Sequence, residues 1–132
     1  MNKFQKYIRR GVVEPLAKIP FHGKAPIRRL LMLDKTSVPE SNTHVAVHFI
    51  KNLPKEIPKY SELHKHDCDE INLILSEDDK LVYKVQFEDE VYKVSSPATI
   101  FIPKGVKHSA EVLSGKGIFV CIILKGEYRT SK

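Results

Sequence analysis

No stretch of this chain is apolar enough to cross a bilayer: none approaches the roughly 20 residues a membrane helix requires. The opening segment, MNKFQKYIRRGVVEPL, carries charge but no uninterrupted apolar core of signal-peptide length, so an intracellular protein is expected. Cysteine is scarce. Cys68 and Cys121 are the only two, which argues against a disulfide framework and fits a reduced cytoplasm. The chain also lacks an internal repeat of solenoid type and a low-complexity tract. A periodic helical pattern is missing as well.

What is present suits one compact domain. The 132 residues can bury a core without a disulfide or a structural metal, and 42% hydrophobic content is ordinary for a globular protein. The net charge of +6 is uneven. Residues 1–60 hold 12 Lys/Arg against 4 Asp/Glu, and residues 61–132 hold 10 against 12. Clustered basic residues attract phosphate, but no helix-turn-helix, zinc finger or base-stacking motif accompanies them, so nucleic acid is not the expected partner. Two other readings of the basic half remain open: a solvated arm, and an anion-binding lid or subunit contact using Arg28 or Arg29.

Residues 1–42 form an expected N-terminal arm. Pro15, Pro20, Pro26 and Pro39 interrupt it. A helical turn is expected near residues 3–10 and a strand over 28–33. From residue 43 to 128 the pattern is β, followed by a short tail at 129–132. HVAVHFIK (44–51) alternates, with Val45, Val47 and Phe49 on one face. Residues 61–66 and 70–75 predict two strands around a polar bend. LVYKVQF (81–87), with Leu81, Tyr83, Val85 and Phe87 on one face, leads through a tight connection into VYKVS (91–95) as a hairpin. ATIFIP, SAEVL and GIFVCIIL complete the set. Short strands at close spacing indicate an all-β sandwich or barrel.

Within that pattern lie HKHDCDE (64–70) and PKGVKH (103–108). Residues i and i+2 of a strand share a face, so His64 and His66 project together. Glu70 has the same parity after a short bend. His108 follows a turn that Pro103 and Gly105 suit, because glycine tolerates positive φ and proline fixes its own. Three neutral imidazoles and a carboxylate suit one divalent first-row ion, with coordination positions left open. Asp67 and Asp69 have the opposite parity and read as solvated bend residues, with a hydrogen bond that orients one of the ligands as the alternative. Cys68 shares the ligand parity and reads as a buried bystander rather than a ligand or redox thiol. His22, His44 and His48 belong to no motif.

These two segments, in this order in an all-β chain, resemble the motifs of the cupin superfamily, G-x5-H-x-H-x3,4-E-x6-G and G-x5-P-x-G-x2-H-x3-N. His64, His66 and Glu70 match the first; Pro103, Gly105 and His108 match the second. The framing positions depart from it: Pro58, Glu77 and Pro97 stand where glycines would be, and Val112 replaces the final asparagine. The resemblance covers about residues 44–125. It implies a double-stranded β-helix barrel, or jelly roll, with one Fe, Mn, Ni, Co or Zn ion on His64, His66, Glu70 and His108.

The resemblance further implies an enzyme acting on a small oxygenated metabolite. With iron the expected chemistry is that of a dioxygenase; with the other ions it is Lewis-acid isomerase, decarboxylase or lyase chemistry. The alternative is a non-catalytic module binding a small molecule or metal. Glu70, Tyr83 and Tyr92 are candidates for proton transfer. Asn72, Ile74, Tyr83, Gln86, Tyr92, Thr99 and Phe101 are candidates for the pocket lining. Ile71, Leu73 and Leu75 leave an apolar outer face that needs cover, from residues 1–35 or from a second subunit. Small cupins pair sheet to sheet, so a homodimer is expected.

Overall fold

The computed structural model of the protein describes residues 3–19, 21–23, 25–124 and 130–131. Eleven strands carry the described chain: β1 (Val12–Val13), β2 (Arg28–Leu33), β3 (His44–Ile50), β4 (Lys65–His66), β5 (Glu70–Leu75), β6 (Val82–Phe87), β7 (Glu90–Ser95), β8 (Ala98–Ile102), β9 (His108–Ser114), β10 (Gly117–Ile123) and β11 (Thr130–Ser131). Two short 3-10 turns, Gln5–Tyr7 and Leu16–Lys18, are the only helical segments described. The expected turn near residues 3–10 and the expected strand at 28–33 are both present. The junction between barrel and tail, at 128–129, lies outside the described residues, while Thr130–Ser131 pairs with β4.

The strands form a six-stranded sheet in the order β1-β2-β3-β10-β5-β8, a three-stranded sheet in the order β7-β6-β9, and the β11-β4 pair, all antiparallel. Non-sequential neighbours such as β3-β10-β5 mean the chain wraps around a common interior. Ile50, Ile74, Ile100, Ile102 and Phe119 from the large sheet meet Tyr83, Val85 and Val112 from the small one in a single core. The rings of Tyr83 and Phe119 stack across it at 4.7 Å between centroids, an arrangement worth about 0.5–1.5 kcal/mol beyond area burial.

Alternation puts Leu81, Tyr83 and Val85 inside, as the sequence predicts. On β3 the inner face is the other one. Ala46, His48 and Ile50 are buried, and Val45, Val47 and Phe49 are half-buried on the outer side. The more apolar face lost the interior because the large sheet is apolar on both sides. Its outer surface includes Leu75 and Phe101, exposed by 43% and 53%. β2 joins the sheet edge-on beside β3, and Leu16 and Ile27 enter the core.

Candidate metal centre

His64 lies just before β4 and forms an isolated bridge with His108, the first residue of β9; their backbones exchange hydrogen bonds of 3.1 and 2.8 Å. His66 ends β4 and Glu70 begins β5 across the polar bend. The two motif loops are tied together. The Lys104 amide donates to the Asp69 carboxylate (2.9 Å) and the Gly105 amide to the His66 carbonyl (2.8 Å). Asp69 is thus a structural clamp rather than a merely solvated bend residue. Gly105 has φ +81° with open space where a Cβ would sit, so its need for glycine is conformational.

His64, His66 and His108 are all buried, and their ligand atoms lie within 4.8 Å of one another. Their tautomers are set from behind. His64 Nδ1 is 2.6 Å from the Glu62 carbonyl and His108 Nδ1 is 3.0 Å from the Val106 carbonyl. A carbonyl only accepts, so each Nδ1 carries the proton and each neutral Nε2 presents a lone pair. Glu70 joins through two members of the triad: its Oε1 is 3.0 Å from His66 Nε2 and 3.4 Å from His108 Nε2. Glu70 Oε1 and His108 Nε2 nevertheless make no hydrogen bond, although both are buried. They are close but not aimed at each other. Ligands each about 2.1 Å from one ion lie about 3.0 Å apart at a right angle and about 3.4 Å apart at the tetrahedral angle. The spacing and the orphaned atoms therefore fit a divalent cation. The second carboxylate oxygen accepts from Asn72 Nδ2 at 2.7 Å, which fixes the rotation of the group.

Burial, helped by His108 and His66 and opposed by the Glu62 carbonyl, lowers the His64 imidazole to about 4, so it is neutral at pH 7. Burial alone would raise the Glu70 carboxyl, but the imidazoles of His108 and His66 outweigh it and hold the group well below the usual carboxylate range. Burial works against protonation of His108, yet the Glu70 carboxylate raises its affinity for a proton. Glu70 draws positive charge to this point.

The triad and Glu70 line a cavity of about 40 Å³ whose other walls include Arg29, His48, Tyr60, Asn72 and Cys121. Tyr60 is held by a hydrogen bond from the Val112 amide to its hydroxyl (2.8 Å), and its own amide donates to Glu111 (2.8 Å). Burial, with Glu111 adding to it, raises the Tyr60 phenol, which stays protonated. Burial and the Glu70 carboxylate likewise push the Cys121 thiol up.

Of the lining candidates chosen from sequence, Asn72 is in the wall. Tyr83 is stacked in the core on Phe119, and Ile74 is core as well. Tyr92 lies on the exposed strand β7 and donates to Glu90 (2.7 Å). Neither tyrosine lines the cavity, so neither is placed to pass a proton there. Thr99 and Phe101 point outward, because Ile100 and Ile102 take the inner positions of β8. Gln86 donates to the Glu88 carbonyl on the far side of the small sheet. His22 and His48, members of no motif, do line the cavity. The inward parity of β3 would have revealed His48. Tyr60, in a proline-rich connection, carried no local signal.

No protein-family model matches the chain, and no curated protein matches it in sequence. Solved structures match its shape. An RmlC-like cupin from Shewanella frigidimarina is 12% identical with a TM-score of 0.57, covering 89% of this chain and 86% of its own. The polyketide cyclase RemF from Streptomyces resistomycificus is 15% identical with a TM-score of 0.64, covering 94% and 84%. A cupin 2 conserved barrel domain protein from Rhodopseudomonas palustris is 16% identical with a TM-score of 0.58, covering 92% and 73%. With the wrapped antiparallel sheets and their common interior, these likenesses establish that the fold of this chain is the cupin barrel.

Proposed function

We propose that this chain is a metal-dependent enzyme acting on a small oxygenated metabolite, with one divalent transition-metal ion held by His64, His66, Glu70 and His108. The observation that carries the reading is the convergence of buried, unbonded Glu70 Oε1 and His108 Nε2 with the other two imidazoles. A bound ion would supply Lewis acidity toward a substrate oxygen or, if iron, the capacity to engage dioxygen. The chain's own residues do the rest. The Glu62 and Val106 carbonyls keep two imidazoles aimed, Asn72 holds the Glu70 carboxylate in rotation, and Phe119 and Ala110 supply apolar wall to the cavity. Tyr60 also lines the cavity, with its hydroxyl held by the Val112 amide.

Elemental analysis of protein purified without chelators tests this. About one equivalent of metal is expected in the wild type, and loss of it in a His64→Ala/His66→Ala variant. A metal-free wild type after reconstitution would overturn the reading. The small cavity favours one second reading, a module that binds its ligand without turning it over; metal-loaded protein with ligand affinity but no turnover would select it. The reduced thiols of Cys68 and Cys121 suit the cytoplasm, and no described helix is long and apolar enough to cross a membrane.

The outer face of the large sheet, with Leu75, Phe101 and Ile118 exposed, fits a second copy of this chain packed sheet to sheet. Leu75→Asp/Phe101→Asp should then convert a dimer to a monomer in sedimentation. A wild type that sediments as a monomer removes that part of the proposal.

A further inference from the structure

The outer face of the large sheet ends in a groove of about 880 Å³ that shares no lining residue with the metal cavity. Its floor is one cross-strand row. Arg28 of β2 pairs with Phe49 of β3, Phe49 with Ile118 of β10, and Ile118 with Leu75 of β5. Directly paired residues of neighbouring strands point to the same side of a sheet, so these four side chains share the outer face. Phe49 is half-buried, and Ile118 and Leu75 are exposed. Strands about 4.8 Å apart make the apolar floor about 10 Å across from Phe49 to Leu75. The charged border is lopsided. Arg28 and Lys51 stand at the Phe49 end and Lys116 beside Ile118, against Glu77 alone at the Leu75 end. The Arg28 guanidinium lies over the Phe49 ring, 5.8 Å from its centre. Among the described residues no carboxylate forms an ion pair with Arg28, Lys51 or Lys116. A concave apolar surface of this size with a few charges on its border has the make-up of a small-molecule site.

We propose that this groove binds an amphipathic anion, an apolar body ending in one carboxylate or similar oxyanion. The body lies along Phe49, Ile118 and Leu75, and the anionic head meets Arg28 and Lys51, away from Glu77. Charge complementarity selects this occupant, because three cations without carboxylate partners among the described residues face a single acid across an apolar floor. The site rests on neither the metal nor the pairing of two copies. Leu75 and Ile118 also belong to the face proposed for a second copy. Phe101 of that face pairs with Ile71, about 13 Å along β5 from Leu75, so pairing centred there leaves the end row open.

The test follows amide resonances of the ¹⁵N-labelled full chain during titration with octanoate, kept below its micellar concentration, and with octanol as its uncharged counterpart. Octanoate should give saturable shifts at residues 50–52, 75–77 and 116–118, with an affinity that falls as salt rises. Octanol should bind several-fold more weakly. Arg28→Gln/Lys51→Gln should weaken octanoate about tenfold, since each exposed ion pair accounts for a factor of up to about five. Both side chains are exposed, so that variant should fold, with its other resonances and its metal content those of the wild type. Absence of saturable shifts in the wild type would overturn the site, as would equal binding of octanol or shifts centred on the histidine triad instead. Unchanged octanoate affinity in the double variant would overturn it too. Shifts of the same amides by a hexaglutamate peptide, with none by octanoate, would replace the small anion with an acidic protein segment.

Discussion

Replacing His108 by Ala removes one imidazole whose Nε2 faces Glu70 at 3.4 Å, and the consequence can be worked out as a thermal shift. Unfolding entropy of about 2.1 cal/mol/K per residue near 60 °C gives about 280 cal/mol/K for this 132-residue chain, so 1 kcal/mol moves the midpoint by about 3.6 °C. An ion that binds only the native state and is present at about 1,000 times its Kd stabilises by about 4.1 kcal/mol, hence about 15 °C. Loss of a ligand should weaken binding by at least the roughly 100-fold that outer-shell changes reach. At the same ion concentration that leaves about 1.4 kcal/mol, or about 5 °C. The alanine also empties buried space and lowers the starting Tm. The quantity to compare is therefore the rise from chelated to metal-loaded protein within each variant, read by calorimetry. The His64–His108 backbone bridge does not depend on the side chain, so the fold should survive. A metal-dependent rise in His108→Ala equal to that of the wild type would refute the site.

Glu70→Gln keeps the size of the side chain and an oxygen for Asn72 but removes the charge. Competition with a chromophoric chelator should show about 10- to 100-fold weaker metal binding, and unchanged affinity would take Glu70 out of the ligand set. His48 offers a pH test. Burial and then Arg29 lower it to about 3 from an unfolded value of 6.5, so the native state refuses a proton that the unfolded chain accepts below pH 6.5. The associated stability is fully present above pH 6.5 and is lost as pH falls toward 3, by about 3 kcal/mol at pH 4. Urea unfolding of metal-free protein should become less acid-sensitive in His48→Asn, and parallel pH slopes for the two proteins would exclude His48 as the cause.

Alternation and turn chemistry made the strands legible before any coordinates, because both are local. The period of two in LVYKVQF placed Leu81, Tyr83 and Val85 inside, and the parity of His64 and His66 with the turn around Gly105 marked the triad. Alternation says which residues share a face but not which face is inside. On β3 both faces are apolar enough, and only packing against the small sheet decided that His48, not Val47, looks inward. The same ambiguity misplaced Thr99 and Phe101, whose strand is read correctly once Ile100 and Ile102 are seen to fill the core.

The sequence by itself determined the all-β class, most of the strands and three histidines that could meet, since each follows from spacing of a few residues along one chain; of the strand expected over 61–66 only Lys65–His66 forms. Only the tertiary structure decided that β2 lies beside β3. That pairing carries Arg29 onto His48, while the pairing of β10 with β3 and β5 brings Cys121 to the same cavity. Those contacts join residues far apart in the chain. They depend on how two sheets close around one interior, and no local period encodes that closure.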